Sequence, residues 1–359
     1  MSTSASPLLR MAQTTPTVLW NDSADPRELS EAIGWGAVGA TCNPVIALAA
    51  LKADRDTWAP RIAEFAASHP TATEDEIGWA MVKRLSIEAA QLLVPAFERY
   101  DGVNGRLSIQ TDPRLYRDTS ALVEQAVEFS QLAPNMIVKI PVTAAGAAAF
   151  EEVTYRGVSV NATVSFTVAQ AVAVAEAVER GLRRREAEGL DVSRMGPVCT
   201  IMVGRTDDWM RVSAEKEQIT VDPGVTEWAG VAVFKNAHRI YQERGYRTRL
   251  LSAAFRNHMH WSQFIGGDVV ISPPFGWQKR INVSGIEPAH RLDEAVDPRI
   301  LEALYDNFSE FRKAYDEDGL AVSEFTSYGA TVRTLRQFLQ ANTDLEAFVR
   351  DVTLPNPDS

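Results

Sequence analysis

The sequence predicts a (β/α)8 fold, a TIM barrel with a helical insertion after its second strand and a helical C-terminal extension. Three observations predict it: eight short segments rich in apolar or β-branched residues, helical patterns between most of them, and 359 residues with 45% apolar content. The strand-like segments are 17–22, 37–42, 106–111, 136–141, 158–164, 197–203, 249–255 and 268–274. Strands alternating with helices imply a parallel sheet, and eight such units close a barrel. A doubly wound sheet is the next choice, and the strand count decides against it.

Between the first two segments a helix starts at Asp25-Pro26, an N-cap with proline at the first helical position. Residues 44–105 hold two or three helices. One opens on the capping-box spacing Thr73-Glu74-Asp75-Glu76 and presents Ile77, Met81 and Leu85 along one face. An alanine-rich helix runs from Thr167 to about Glu186, and its basic run, Arg183 to Arg185, is expected to be a solvated end favoured by the helix dipole. Residues 285–359 look helical, with Gly329 between segments. No Pro/Gly/Ser-rich linker divides the chain, so residues 1–359 are expected to form one domain, with the barrel core at 16–284 and the extension at 285–359.

Composition narrows the function. A net charge of −11 argues against nucleic acid and anionic membranes as partners. No apolar run approaches the ~18 residues that span a bilayer. The first fifteen residues carry no apolar signal region, and the only two cysteines, Cys42 and Cys199, form no CxxC, so a reducing cytoplasm is expected. The subunit count is not legible.

In such a barrel the chemistry lies at the C-terminal ends of the strands. The polar candidates there are Asp22, Asn43, Gln110, Lys139, Asn161, Thr163, Thr200, Arg205 and Arg256. Singly, most have plain structural readings: Asp22 as a turn cap, Asn161 and Thr163 bonding backbone, Arg205 paired with Asp207 or Asp208. Lys139, inside NMIVKIPVT, differs, because a structural lysine usually keeps its ammonium in water. A desolvated lysine has a lowered pKa and offers a neutral amine. Such an amine attacks a ketone, and the protonated imine lets the adjacent carbon–carbon bond break, with no metal or cofactor required. The competing account is a buried Lys139–Asp22 ion pair that only holds the barrel together.

The stretches NDSADP with TCNP, SIQTDPRL, IVKIPVTAAG, GVSVNATVSFTVAQA, VGRTDDW and SAAFRN follow one another from about Val18 to Pro273. Taken together they resemble the transaldolases, class I Schiff-base enzymes on a (β/α)8 barrel. The resemblance implies transfer of a dihydroxyacetone unit from a ketose phosphate to an aldose phosphate, within carbohydrate metabolism (the pentose phosphate pathway). By the same resemblance Lys139 is the Schiff-base lysine and Asp22 the acid/base during cleavage. Asn43 and Asn161 are ligands of substrate hydroxyls, with Thr200 a further substrate-binding candidate. Thr163 helps hold the catalytic water, and Arg205 and Arg256 grip a substrate phosphate. Terminal helices are expected over the barrel mouth.

The sequence departs from that pattern at several points. Gln110 stands where typical transaldolases carry glutamate; an amide orients water but does not relay its proton. The related fructose-6-phosphate aldolases carry glutamine there and release dihydroxyacetone, but their accompanying tyrosine has no counterpart, Met202 standing on the sixth strand. Ala254 replaces a phosphate-binding serine, and Cys42 precedes Asn43 where threonine is usual. Two alternatives therefore accompany the transferase: a lyase releasing dihydroxyacetone, and a catalytically weakened barrel that binds sugar phosphate as a sensor or scaffold.

Three weaker signals are set aside. GxGxxG at residues 34–39 follows a helix and opens a strand, the reverse of a dinucleotide fingerprint. His258 and His260 sit at i,i+2 on a predicted helix and do not converge on one metal ion. Cys42 has no base beside it in sequence and is expected to be a small buried residue.

Overall fold

In the computed structural model, which describes residues 5–358, eight parallel strands close in chain order. They are β1 (Val18–Asn21), β2 (Ala37–Cys42), β3 (Arg106–Gln110), β4 (Met136–Pro141), β5 (Val160–Ser165), β6 (Val198–Ile201), β7 (Arg249–Ala253) and β8 (Val270–Ser272). The (β/α)8 expectation is met, with helices between the strands.

The helix starts follow their caps. Asp25 accepts from the Arg27 and Glu28 amides and opens Pro26–Gly34. Thr73 and Glu76 exchange reciprocal bonds at the head of Glu74–Arg99. Three helices fill the insertion, Pro44–Ala53, Arg55–Ser68 and Glu74–Arg99, and the extension holds Pro298–Asn307, Ser309–Tyr315 and Gly329–Thr353. A helix at Pro7–Thr14, before the expected start of the barrel core, is an addition; its eight residues are too few for a periodic signal.

Two expectations need correction. Segment 197–203 ends its strand at Ile201, because the helix Val203–Glu217 already begins at Val203; Arg205 therefore sits in a first helical turn. The basic run closes its helix with Arg183 exposed, as expected, but its other two arginines are tied down. Arg184 pairs with Glu151 and Glu152, and Arg185 donates to the Tyr155 carbonyl. Both guanidiniums fasten this helix to the preceding Ala144–Tyr155.

Strand side chains alternate between the barrel interior and the surrounding helices. Val138 and Ile140 face outward into the main apolar core, whereas Ile137 joins Trp20, Val198, Leu251, Ala253 and Val270 in a separate inner cluster. Trp20 fills so much of that interior that a Cβ on Gly39 would lie 2.4 Å from its indole nitrogen. The outer core runs on into the C-terminal helix through Leu335, Phe338, Leu345 and Phe348. That helix packs against the three insertion helices and against Val203–Glu217. Its start is fixed by Gly329, where any Cβ would strike the Trp209 ring at 1.9 Å. Among the described residues no helix is long and apolar enough to cross a membrane.

Candidate active site

The inner apolar cluster sets the parity of the residues above it. Two positions beyond Trp20 comes Asp22; two beyond Ile137 comes Lys139; two beyond Val198 comes Thr200. The same inward rows carry Ser108 and Gln110 on β3 and Asn161 and Thr163 on β5. Register aligns them across the sheet: Gln110 is level with Lys139, Lys139 with Asn161, and Pro141 with Thr163. Neighbouring strands lie about 4.8 Å apart, so Gln110 and Asn161 stand on either side of Lys139 across the sheet.

Lys139 is only 3% exposed and, among the described residues, has no hydrogen-bond or ion-pair partner. Desolvation pushes its pKa below the usual lysine value near 10.5; the negative charge of Asp22 works against that shift and the positive charge of Arg205 adds to it. A close Lys139–Asp22 ion pair, the competing account, is not formed. Asp22 instead accepts from Thr41 Oγ1 at 2.5 Å, at the adjacent strand. Its charge acts on the amine while its carboxylate is not consumed by it.

Asn161 is fully buried and oriented by its neighbours, donating to Ser108 Oγ at 3.0 Å and accepting from Thr200 Oγ1 at 2.7 Å. This leaves one amide N–H for another group, so Thr200 acts first on Asn161. Asn43 caps the helix Pro44–Ala53 through Oδ1, accepting from Ile46 N, which leaves its amide NH2 for other work. Gln110 Oε1 and Thr163 Oγ1 are buried and unpartnered among the described residues. Buried polar oxygens are rarely left so, and these two lie on the strands either side of the one that carries Lys139. Cys42 is buried, its thiol pushed up to about 11 by desolvation, which suits a packing residue rather than a nucleophile.

The two arginines meet above this layer. Arg205, largely buried beside the Phe338 ring, donates to Thr334 Oγ1 at 3.2 Å. Burial and the nearby Arg256 lower its pKa to about 10. Arg205 pairs with neither Asp207 nor Asp208; it is Arg256 that holds Asp208, at 2.7 Å. Both arginines border one cavity of about 360 Å³, whose opposite wall is the C-terminal helix. The last helix, Gly329–Thr353, thus lies beside the strand ends that carry these residues, as expected of the C-terminal segment.

Sequence reading missed the support beneath Arg256. Fully buried His260 accepts the Arg256 backbone N–H at Nδ1 (3.0 Å), so Nε2 carries the proton donated to Asp207 (2.9 Å). The other Asp207 oxygen accepts from Gly230 N at 2.8 Å. One carboxylate and one imidazole thus tie the helix Val203–Glu217, the start of the helix Ala229–Arg244 and the stretch from Arg256 to His260. An Asp207→Asn exchange leaves one oxygen for two donors, and a loss of about 1–3 kcal/mol is expected in urea unfolding. His258 points elsewhere, bonding Ser262 Oγ. Among the described residues no three His, Cys, Asp or Glu side chains are grouped to hold a metal ion.

A second lysine has a depressed pKa. Lys235, lowered to about 8 by burial, borders a cavity of about 460 Å³ away from Lys139. Its ammonium already donates to Gln263 Oε1 and to the Arg291 and Glu294 carbonyls. Three acceptors hold the proton on that nitrogen, so Lys235 is a strut and Lys139 the candidate nucleophile.

The family model for transaldolase/fructose-6-phosphate aldolase matches residues 19–324. Among curated proteins, the transaldolase of Mycolicibacterium smegmatis is 35% identical over 216 residues, covering 57% of this chain and 55% of that protein. The transaldolase of Thiobacillus denitrificans is 33% identical over 234 residues, covering 58% and 64%. Transaldolase 2 of Streptomyces avermitilis is 36% identical over 173 residues, covering 47% and 45%. The matched stretches thus span 45% to 64% of the length of these relatives.

Proposed function

The chain belongs to the transaldolase/fructose-6-phosphate aldolase family, and on that premise we propose that it is a transaldolase-type transferase working through an imine on Lys139. The observation that carries this reading is the amine itself, enclosed, unpartnered and depressed in pKa. The neutral Nζ attacks the ketone carbon of a ketose phosphate, and loss of water gives the protonated imine. Asp22 removes the proton of the hydroxyl two carbons from the imine carbon; the bond between the intervening carbon and the hydroxyl-bearing carbon breaks, and the aldose phosphate leaves. Its electrons remain as an enamine on Lys139. An incoming aldose phosphate reverses the sequence, and water returns the lysine. Gln110 and Thr163 are assigned to that water, supported by their buried, unpartnered oxygens.

Borohydride reduction with a ketose phosphate, followed by mass spectrometry, is expected to place a reduced adduct on Lys139. Absence of an adduct there, or equal labelling of Lys139→Ala, overturns the reading and leaves a binding barrel.

Gln110 favours a second reading, a lyase that releases dihydroxyacetone. Its amide orients water without exchanging protons through it. Gln110→Glu is therefore expected to raise transfer relative to free dihydroxyacetone, measured with and without an aldose acceptor. An unchanged or lower ratio removes Gln110 from this role. Dihydroxyacetone released equally fast with acceptor present decides for the lyase.

A further inference from the structure

We propose that Arg333, on the C-terminal helix, is a third, specificity-determining arginine of the phosphate seat, so that the extension forms part of the substrate site. This rests on the reading of Arg205 and Arg256 as phosphate ligands. The cavity they border is closed on its other side by Arg333, Thr334 and Gln337. Three guanidiniums face this space, and among the described residues lining it the only carboxylate is Asp208. That carboxylate is already held by Arg256 and by Arg211.

Arg205 and Arg333 form no ion pair among the described residues; Asp208 and Asp22 act on Arg205 only through their charge, and the positive charges of Arg256 and Arg333 oppose them there. The cavity brings the exposed Arg333 toward the largely buried Arg205, and their like charges repel. A dianion between them removes the repulsion and satisfies both forks, since guanidinium geometry matches phosphate oxygens. The Arg205 Nε, buried and unpartnered, is a donor still in need of an acceptor.

On the barrel side the donors lining the cavity are Arg205 and Arg256, the latter already shared with Asp208. The helix adds Arg333 and Gln337, one turn apart on its exposed side. Packing of Phe338 and Leu335 fixes the helix that carries them.

The test measures binding of inorganic phosphate by calorimetry, and KM for a ketose phosphate against its unphosphorylated ketose. Arg333 is exposed, so Arg333→Gln is expected to fold normally. Phosphate binding should weaken about tenfold or more and KM for the phosphorylated sugar rise similarly, with the unphosphorylated ketose unaffected. Arg333→Lys should restore part of the loss. Unchanged phosphate binding in Arg333→Gln, or equal losses with both sugars, overturns the proposal. Arg205→Ala and Arg256→Ala, measured alongside, separate the failures. If these discriminate against phosphate while Arg333→Gln does not, only the third arginine is wrong; if none does, the phosphate seat itself is wrong.

Discussion

Lys139→Ala is expected to abolish reductive trapping and to lower turnover by on the order of 10⁴-fold or more, as loss of a covalent nucleophile does elsewhere. That corresponds to about 5.4 kcal/mol of barrier. The fold should survive, because the exchange removes a buried, unpartnered amine that already costs desolvation. Unfolding midpoints at or above that of the unchanged protein are therefore expected beside the lost activity. A pH profile sharpens the point. Burial lowers the amine pKa, so the neutral nucleophile is retained as pH falls below the usual lysine value near 10.5. The acid limb of the trapping rate should consequently lie well below that value. A limb near 10.5 would show an ordinary solvated ammonium and remove the basis for the imine.

The candidate site is legible in the sequence wherever it obeys a local period. Lys139, Asn161 and Thr163 occupy alternate places in strands otherwise apolar, and strand alternation sends them to the interior beside Ile137 and Trp20. Asp25 and Thr73 announced their helices because a cap acts on amides two or three residues away. What escaped depends on contacts with no local signature. His260 and Asp207 are 53 residues apart and meet only because the loops after β6 and β7 are neighbours in the closed barrel. Arg205 changed from strand end to helical turn because the ladder stops at Ile201, a matter of pairing with β5 and β7. Arg333 looks like any solvated helix residue until Phe338 and Leu345 dock that helix over the mouth. Asp208 follows the same rule: the plain reading that pairs it with its sequence neighbour Arg205 is not met, and Arg256, 48 residues away, holds it instead.

Asp22→Asn is expected to separate two steps that one carboxylate now joins. As general base for the hydroxyl proton, Asp22 should contribute about 10²–10⁴-fold to carbon–carbon cleavage, and the amide cannot accept that proton. Turnover with a ketose phosphate should fall by this factor. Imine formation should respond in the opposite direction. The Asp22 charge raises the Lys139 pKa against desolvation, so its removal lets that pKa fall further and leaves more neutral amine at a given acidic pH. The acid limb of trapping should move to lower pH while cleavage slows, and burst analysis should find imine accumulating ahead of product. A purely structural Asp22, held through Thr41, predicts otherwise: its exchange shifts the urea midpoint and impairs both steps together. In the Asp22→Asn variant the side-chain amide keeps one oxygen that Thr41 Oγ1 can still reach. The local geometry therefore persists, and trapping rate, turnover and urea midpoint together tell the two outcomes apart.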